Sequence, residues 1–293
     1  MRWLSSPRRI FLLMAPTLIG FSVFVVFPVA YSLWYSFTDF PGFGPAHFVG
    51  LSNYLSVLHD QLFWVSLRNT GVVLVICLVV VIPIAFMLAL LLGRRFRGVS
   101  ILRALIFTPG ILAPILAGLI WVFILDTKVG LLDNTLSAAG LRSRPQWIGG
   151  HLLSPFSVAL VFAWSTVGFA MTICYAGLQS LPADVIEAGV VDGATTFQQL
   201  RYITIPMMRE TIAITTVLVV TNAIKIFELV YQLTGGGPVH RSEVLVSYMY
   251  FITFSGQQYG KGMALAVMIT ILGAAVSMGY LVLLGLRQRR AAA

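Results

Sequence analysis

The chain has 293 residues, 58% of them apolar or aromatic and only 10% Asp, Glu, Lys or Arg, where a soluble globular domain carries about 25% charged residues. So little charge cannot cover a water-facing surface, which excludes an ordinary soluble enzyme and points to an integral membrane protein. The net charge of +9 comes in short basic clusters beside apolar runs, the arrangement that orients membrane spans and not a nucleic-acid-binding face.

A helix needs roughly 20 apolar residues to cross a hydrocarbon core about 30 Å thick. Six stretches meet that length: Ile10–Leu33, Asn69–Leu92, Ile101–Leu125, Leu153–Ala176, Thr211–Leu233 and Met263–Leu286. The expected fold is therefore all-α, a polytopic membrane protein with six transmembrane helices in one domain over residues 1–293. Pro16, Pro83, Pro114, Gly118, Gly168 and Gly273 fall inside these runs, where neighbouring helices can re-satisfy the freed backbone groups. The first run exceeds the 7–15 residues of a signal-peptide core and reads as a retained helix.

Arg2, Arg8, Arg9, Arg94, Arg95, Arg97, Arg103, Arg201, Arg209, Arg287, Arg289 and Arg290 fall on one side of this arrangement. Arg68, Lys128, Arg142, Arg144, Arg241 and Lys261 fall on the other. The richer side should be cytoplasmic, which puts both termini inside. Three outer connections then follow (34–68, 126–152 and 234–262), with inner ones at 93–100 and Gly177–Glu210.

Catalytic chemistry finds no support along the chain. His47, His59, His151 and His240 are scattered through outer loops without ligand spacing, so neither a catalytic residue nor a metal site is expected. Cys77 and Cys174 lie inside apolar runs and read as small core residues. Gly256-Gln-Gln-Tyr-Gly-Lys-Gly262 imitates a phosphate-binding loop. It has one residue too few between its first two glycines, however, and no Ser or Thr after the lysine. No internal repeat is visible, which weighs against inverted-repeat transporters.

The inner connection Gly177–Glu210 is the most informative segment. Pro182 suits the first turn of a short helix, and Asp184 and Glu187 favour its N-terminal dipole. Gly193 suits a C-terminal cap with a sharp reversal. Thr195 or Thr196 then caps a second short helix through Leu200, and Ile205-Pro206 leads into the fifth span. From Ser180 to Ala194 there are three acidic residues and no Lys or Arg. Anionic lipid would disfavour such a segment, so a protein partner is the better reading.

The fifth span carries the strongest intramembrane polar signal. On a continuous helix Thr221, Lys225, Glu228 and Gln232 fall within about 60° of arc. Charges inside a span are costly and face a cavity or a partner. Two readings stand side by side: Lys225 and Glu228 line a solute pathway, with Tyr231 available to stack on a sugar, or they form a buried pair locking helices together.

Glu187-Ala188-Gly189, Asp192-Gly193-Ala194 and Ile203-Thr204-Ile205-Pro206 together resemble the E-A-A…G…I-x-L-P loop of binding-protein-dependent ABC importer permeases. Gly189 replaces the second Ala of that loop and Ile205 its Leu. Phe48-Val-Gly-Leu-Ser-Asn-Tyr54 and the run from Lys225 to Pro238 are similar to stretches of the carbohydrate-uptake members, with Glu228 standing for the usual Asp. The maltose-, trehalose- and glycerol-phosphate-like inner-membrane subunits are the nearest type by these motifs.

The resemblance implies a permease subunit without a nucleotide site of its own, working by alternating access in a bacterial or archaeal plasma membrane. Glu187, Ala188, Gly189, Asp192, Gly193, Ala194, Ile203 and Pro206 would couple it to an ATPase. It also implies the partners: a second homologous permease, two ATPase subunits carrying ATP and Mg, an external solute-binding protein, and a sugar or sugar-like solute. The rival reading is an ion-coupled secondary transporter that uses Lys225 and Glu228 as its relay.

Overall fold

A computed structural model describes residues 7–94, 96–127, 130–140, 145–150 and 153–292. Arg2, Arg95, Lys128, Arg142, Arg144 and His151 lie outside the described residues. Among those described, the regular elements are helices, with one isolated antiparallel bridge between Thr38 and Phe48. The chain forms two compact units, Met1–Asp60 with Met249–Ile271 and Gln61–Tyr248 with Leu272–Ala293.

The first unit contains α1 (Ile10–Tyr35) and α2 (Ser52–His59). Asn53 donates to the carbonyls of Ser36 (2.9 Å) and Thr38 (2.7 Å), and the Tyr54 hydroxyl meets Ser36 Oγ at 2.7 Å. The 48–54 motif thus ties down the chain leaving α1. Asp39 accepts from the His47 backbone N–H at 2.6 Å, which holds its carboxyl below the usual range. Lys261 pairs with Asp60 at 3.0 Å. The apparent phosphate loop is a bend at Gly256 followed by the start of a helix at Tyr259, and an added Cβ at Gly260 would collide with the Thr38 carbonyl.

The second unit contains α3 (Gln61–Leu92), α4 (Val99–Ile111), α5 (Pro114–Leu125), α6 (Leu131–Ala138) and α7 (Leu153–Gln179). It continues with α8 (Ala183–Val191), α9 (Thr196–Met207), α10 (Arg209–Ile224) and α11 (Glu228–Leu233). The divisions of the chain after Tyr248 and Ile271 fall within helix α12 (Leu245–Ser255) and helix α13 (Tyr259–Ala292).

Prolines shape these helices in a repeated way. Wide π turns at Ser22–Val26, Cys77–Val81 and Leu200–Thr204 stand two residues before Pro28, Pro83 and Pro206. In each, the N–H of the residue before the proline reaches the carbonyl five back. The proline ring would clash with the carbonyl four back, and the wider turn moves that carbonyl aside without ending the helix.

Among the described residues, four helices are long and apolar enough to cross a membrane, α1, α3, α7 and the first part of α13, or up to six spans if two bent pairs count as one each. The third and fifth spans correct the sequence reading, because neither is one continuous helix. Helices α4 and α5 meet at 101°. Ala113 precedes Pro114, which disfavours helical backbone there, and Leu112 and Ala113 adopt extended ψ values of 136° and 134°. The fifth span ends as a helix at Ile224 and restarts at Glu228.

Helix α7 is the hub of this unit, half buried over its most apolar window. Its core neighbours include the buried Cys77, Ala85 and Ala89 of α3, and its own Cys174 is buried too. Gly168 lets the α4 backbone pass directly against it: an added Cβ would overlap the Ile106 carbonyl oxygen. In a free helix Gly→Ala gains up to about 1 kcal/mol. Here the obstacle is backbone, and overpacking of this kind costs about 1–3 kcal/mol. Gly168→Ala is therefore expected to lower the thermal midpoint of the purified protein; an unchanged or higher midpoint would refute the close approach.

Candidate solute cleft and candidate coupling loop

The two interrupted spans face each other across a cleft of about 460 Å³, within the roughly 300–1,000 Å³ of small-molecule sites. The bend between α4 and α5 contributes Pro109, Gly110 and Pro114. Helix α7 contributes Phe162, Ser165, Thr166 and Phe169, and the α10–α11 break contributes Asn222, Lys225 and Glu228. Non-helical backbone at membrane depth is tolerated where it lines such a cavity.

Lys225 ends α10 with ψ near 4°, and Phe227 leaves helical geometry altogether at φ −140° and ψ −64°. The expected stripe therefore splits. Lys225 and Glu228 are both exposed on the cleft, and among the described residues no ion pair joins them. Thr221 uses its hydroxyl on the Val217 carbonyl at 2.7 Å. Gln232 packs on α5, where an added Cβ at Gly118 would come within 2.9 Å of its Cβ. Tyr231 is half exposed beside the Phe227 ring, 5.6 Å away. None of these three lines the cleft.

The sequence reading missed Asn222, Ser165, Thr166 and the two phenylalanines. Asn222 was findable as an amide inside an apolar run. Ser165 and Thr166 were not, because hydroxyls in spans usually bond their own helix, as Ser165 does to the Phe162 carbonyl at 2.9 Å. The cleft offers one ammonium, one carboxylate, an amide, two hydroxyls and two aromatic faces. Such a set suits a polar, hydroxylated solute of no net charge.

Beyond α11 the chain reverses through Gly235 and Gly236, both at positive φ, into an exposed tip where Val239 and His240 also have positive φ. The reversal is held from beneath. Asn69 donates to the carbonyls of Arg241 (2.7 Å) and Glu243 (2.8 Å). The buried Glu243 carboxylate accepts from Ser247 and meets His240 Nδ1 at 3.0 Å.

The connection Gly177–Glu210 forms two short helices. Pro182 is the N-cap of α8 and stands just outside its first turn. Helix α8 closes with a Schellman arrangement: Ala194 N–H donates to the Gly189 carbonyl and Gly193 N–H to that of Val190, each at 3.0 Å. Gly193 has φ +77°. Thr195 caps α9 in a reciprocal box with Gln198. Ala188 is exposed, whereas Gly189 is buried against α9, where a Cβ would lie 2.6 Å from Ile203 Cδ1. The departure from the second Ala of the motif thus makes room for Ile203.

Glu187, Asp192, Val190 and Val191 are exposed on α8. Helix α9 runs through Pro206 and joins α10 at a 65° bend whose pivot, Met208, is fully buried. The C-terminal end of α7 and the N-terminal end of α10 touch closely, since a Cβ at Gly177 would meet the Thr211 side chain at 2.6 Å.

Residues 81–292 match the family model described as the binding-protein-dependent transport system inner membrane component. The alpha-glucoside transport system permease protein AglF of Rhizobium meliloti is 34% identical over 277 residues, covering 92% of this chain and 80% of that protein. The trehalose/maltose transport system permease protein MalF of Thermococcus litoralis is 30% identical over 272 residues, 92% of each chain. In fold, the chain resembles a subunit of a bacterial alginate ABC transporter solved with an alginate pentasaccharide-bound periplasmic protein. The TM-score is 0.80 at 21% identity, over 96% of both chains.

Proposed function

We infer the function of this chain from the family to which it belongs, the inner membrane components of binding-protein-dependent ABC transport systems. It is a transmembrane permease subunit of an ATP-driven sugar importer and not itself an enzyme. That membership leaves the ion-coupled rival, with its Lys225–Glu228 relay, without support. The finer assembly is our proposal: a second homologous permease, two ATPase subunits that carry ATP and Mg, and an external binding protein that delivers the solute. We also propose that the cleft between the two broken spans is part of the solute pathway, with Lys225, Glu228 and Asn222 as its polar contacts.

The observation that carries the coupling role is the α8–α9 loop. Its acidic, partly apolar outer face is exposed, while its far end continues through Met208 into α10. A push on α8 is thereby transmitted to the helix that ends at Lys225. Purification of the assembled transporter, followed by a screen of neutral disaccharides and oligosaccharides for stimulation of ATP hydrolysis, tests the reading. Stimulation by a saccharide delivered by the binding protein supports it; an ATPase that never co-purifies would overturn it.

Orientation gives a separate expectation. A membrane-impermeant thiol reagent added to sealed cells should label Ser52→Cys and Gln257→Cys but not Gly98→Cys or Gln198→Cys. Cys77 and Cys174 are fully buried and leave a silent background. Outside labelling at residue 198 would invert the topology and remove α8 from the ATPase side.

A further inference from the structure

A second cleft, of about 530 Å³, lies along the inner half of α3 and belongs to neither the solute pathway nor the coupling loop's outer face. Its walls are Ile84, Met87, Leu88 and Leu91, with Leu200 of α9 closing one side and Arg94 at the end. We propose that this groove binds one anionic phospholipid of the inner leaflet, with an acyl chain along α3 and the phosphate at Arg94.

Three observations select that occupant. The first is length. From Ile84 to Arg94 the chain rises about 15 Å at helical pitch, half the roughly 30 Å of the hydrocarbon core. A groove for a partner's transmembrane helix would run the full depth, whereas one for a lipid tail stops at mid-membrane.

The second is polarity. The walls are aliphatic, with Met87 and Leu91 well exposed, and among the described residues no Asp or Glu lines the groove. Arg94, the charged residue among those described, sits at the end that the basic-residue count makes cytoplasmic. That is the complement of a tail with an anionic headgroup, and cytoplasmic leaflets carry such lipids.

The third is the contrast between two arginines at the same helix end. Arg103 is engaged: its guanidinium donates to the Leu92 carbonyl and lies 4.0 Å above the Tyr175 ring. Arg94 is exposed, and among the described residues it forms no ion pair. Arg103 completes the helix terminus, which leaves Arg94 available for an external anion.

The test uses the assembled transporter, reconstituted with Met87→Cys carrying a small environment-sensitive fluorophore. Brominated phosphatidylglycerol and brominated phosphatidylcholine are compared as quenchers in otherwise identical bilayers. One arginine near the membrane surface favours an anionic lipid by about fivefold in relative affinity. That preference should be measured at residue 87 and should vanish in Arg94→Gln. Equal quenching by the two lipids would overturn the proposal, as would a crosslink from residue 87 to the second permease in the native complex. Neither result bears on the solute cleft, which is tested separately by stimulation of ATP hydrolysis.

Discussion

Gly193→Val will leave membrane insertion intact but abolish most solute uptake per ATP hydrolysed. Gly193 has φ +77° and no neighbour within 4 Å of an added Cβ, so the penalty is conformational and not steric crowding. A left-handed residue costs about 1–2 kcal/mol when it is not glycine, and β-branching adds to that. The two hydrogen bonds that close α8 depend on this conformation. Valine releases them and misaims the exposed face bearing Glu187 and Asp192. Gly193→Asn is the control, since asparagine tolerates left-handed backbone. Uptake in vesicles, measured beside ATP turnover, should fall for valine and persist for asparagine. Equal loss in both would mean that the space around residue 193 matters and the turn conformation does not.

Lys225→Met and Glu228→Gln should each weaken response to solute while leaving the purified complex as stable as the parent. A hydrogen bond to a charged group is worth about 1.5–3 kcal/mol. Its loss should raise the solute concentration giving half-maximal ATPase stimulation about 10- to 100-fold. Stability is the discriminating readout. Breaking a buried ion pair costs about 3–5 kcal/mol because one charge is left unpaired. Both side chains here are exposed and unpaired with each other, so assembly should be unaffected. Destabilised mutants with normal stimulation would return the pair to a structural role.

The spans and the coupling loop were legible because their signals are local. Run length gave the four continuous spans, and the spacing of Pro182, Gly193 and Thr195 gave two capped helices. The cleft was not legible, for a physical reason. It is made where helical periodicity fails, at Leu112–Ala113 and at Lys225–Phe227. A stripe drawn at 100° per residue carries Thr221 and Gln232 onto a face that the structure breaks in two. Pro114 announced the first break. Nothing in Lys225-Ile226-Phe227 announced the second, because its residues are compatible with a helix.

None of the most apolar 18-residue window of α1 is buried, whereas half of the corresponding window of α7 is. Little packing within this chain therefore fixes the side chains of that α1 window, so length and oiliness constrain it more than the identity of each residue. Chimaeras carrying a foreign first helix of equal length and hydropathy should remain competent in uptake. In α7 the same liberty is absent, since each turn presents some side chain that a neighbour already occupies.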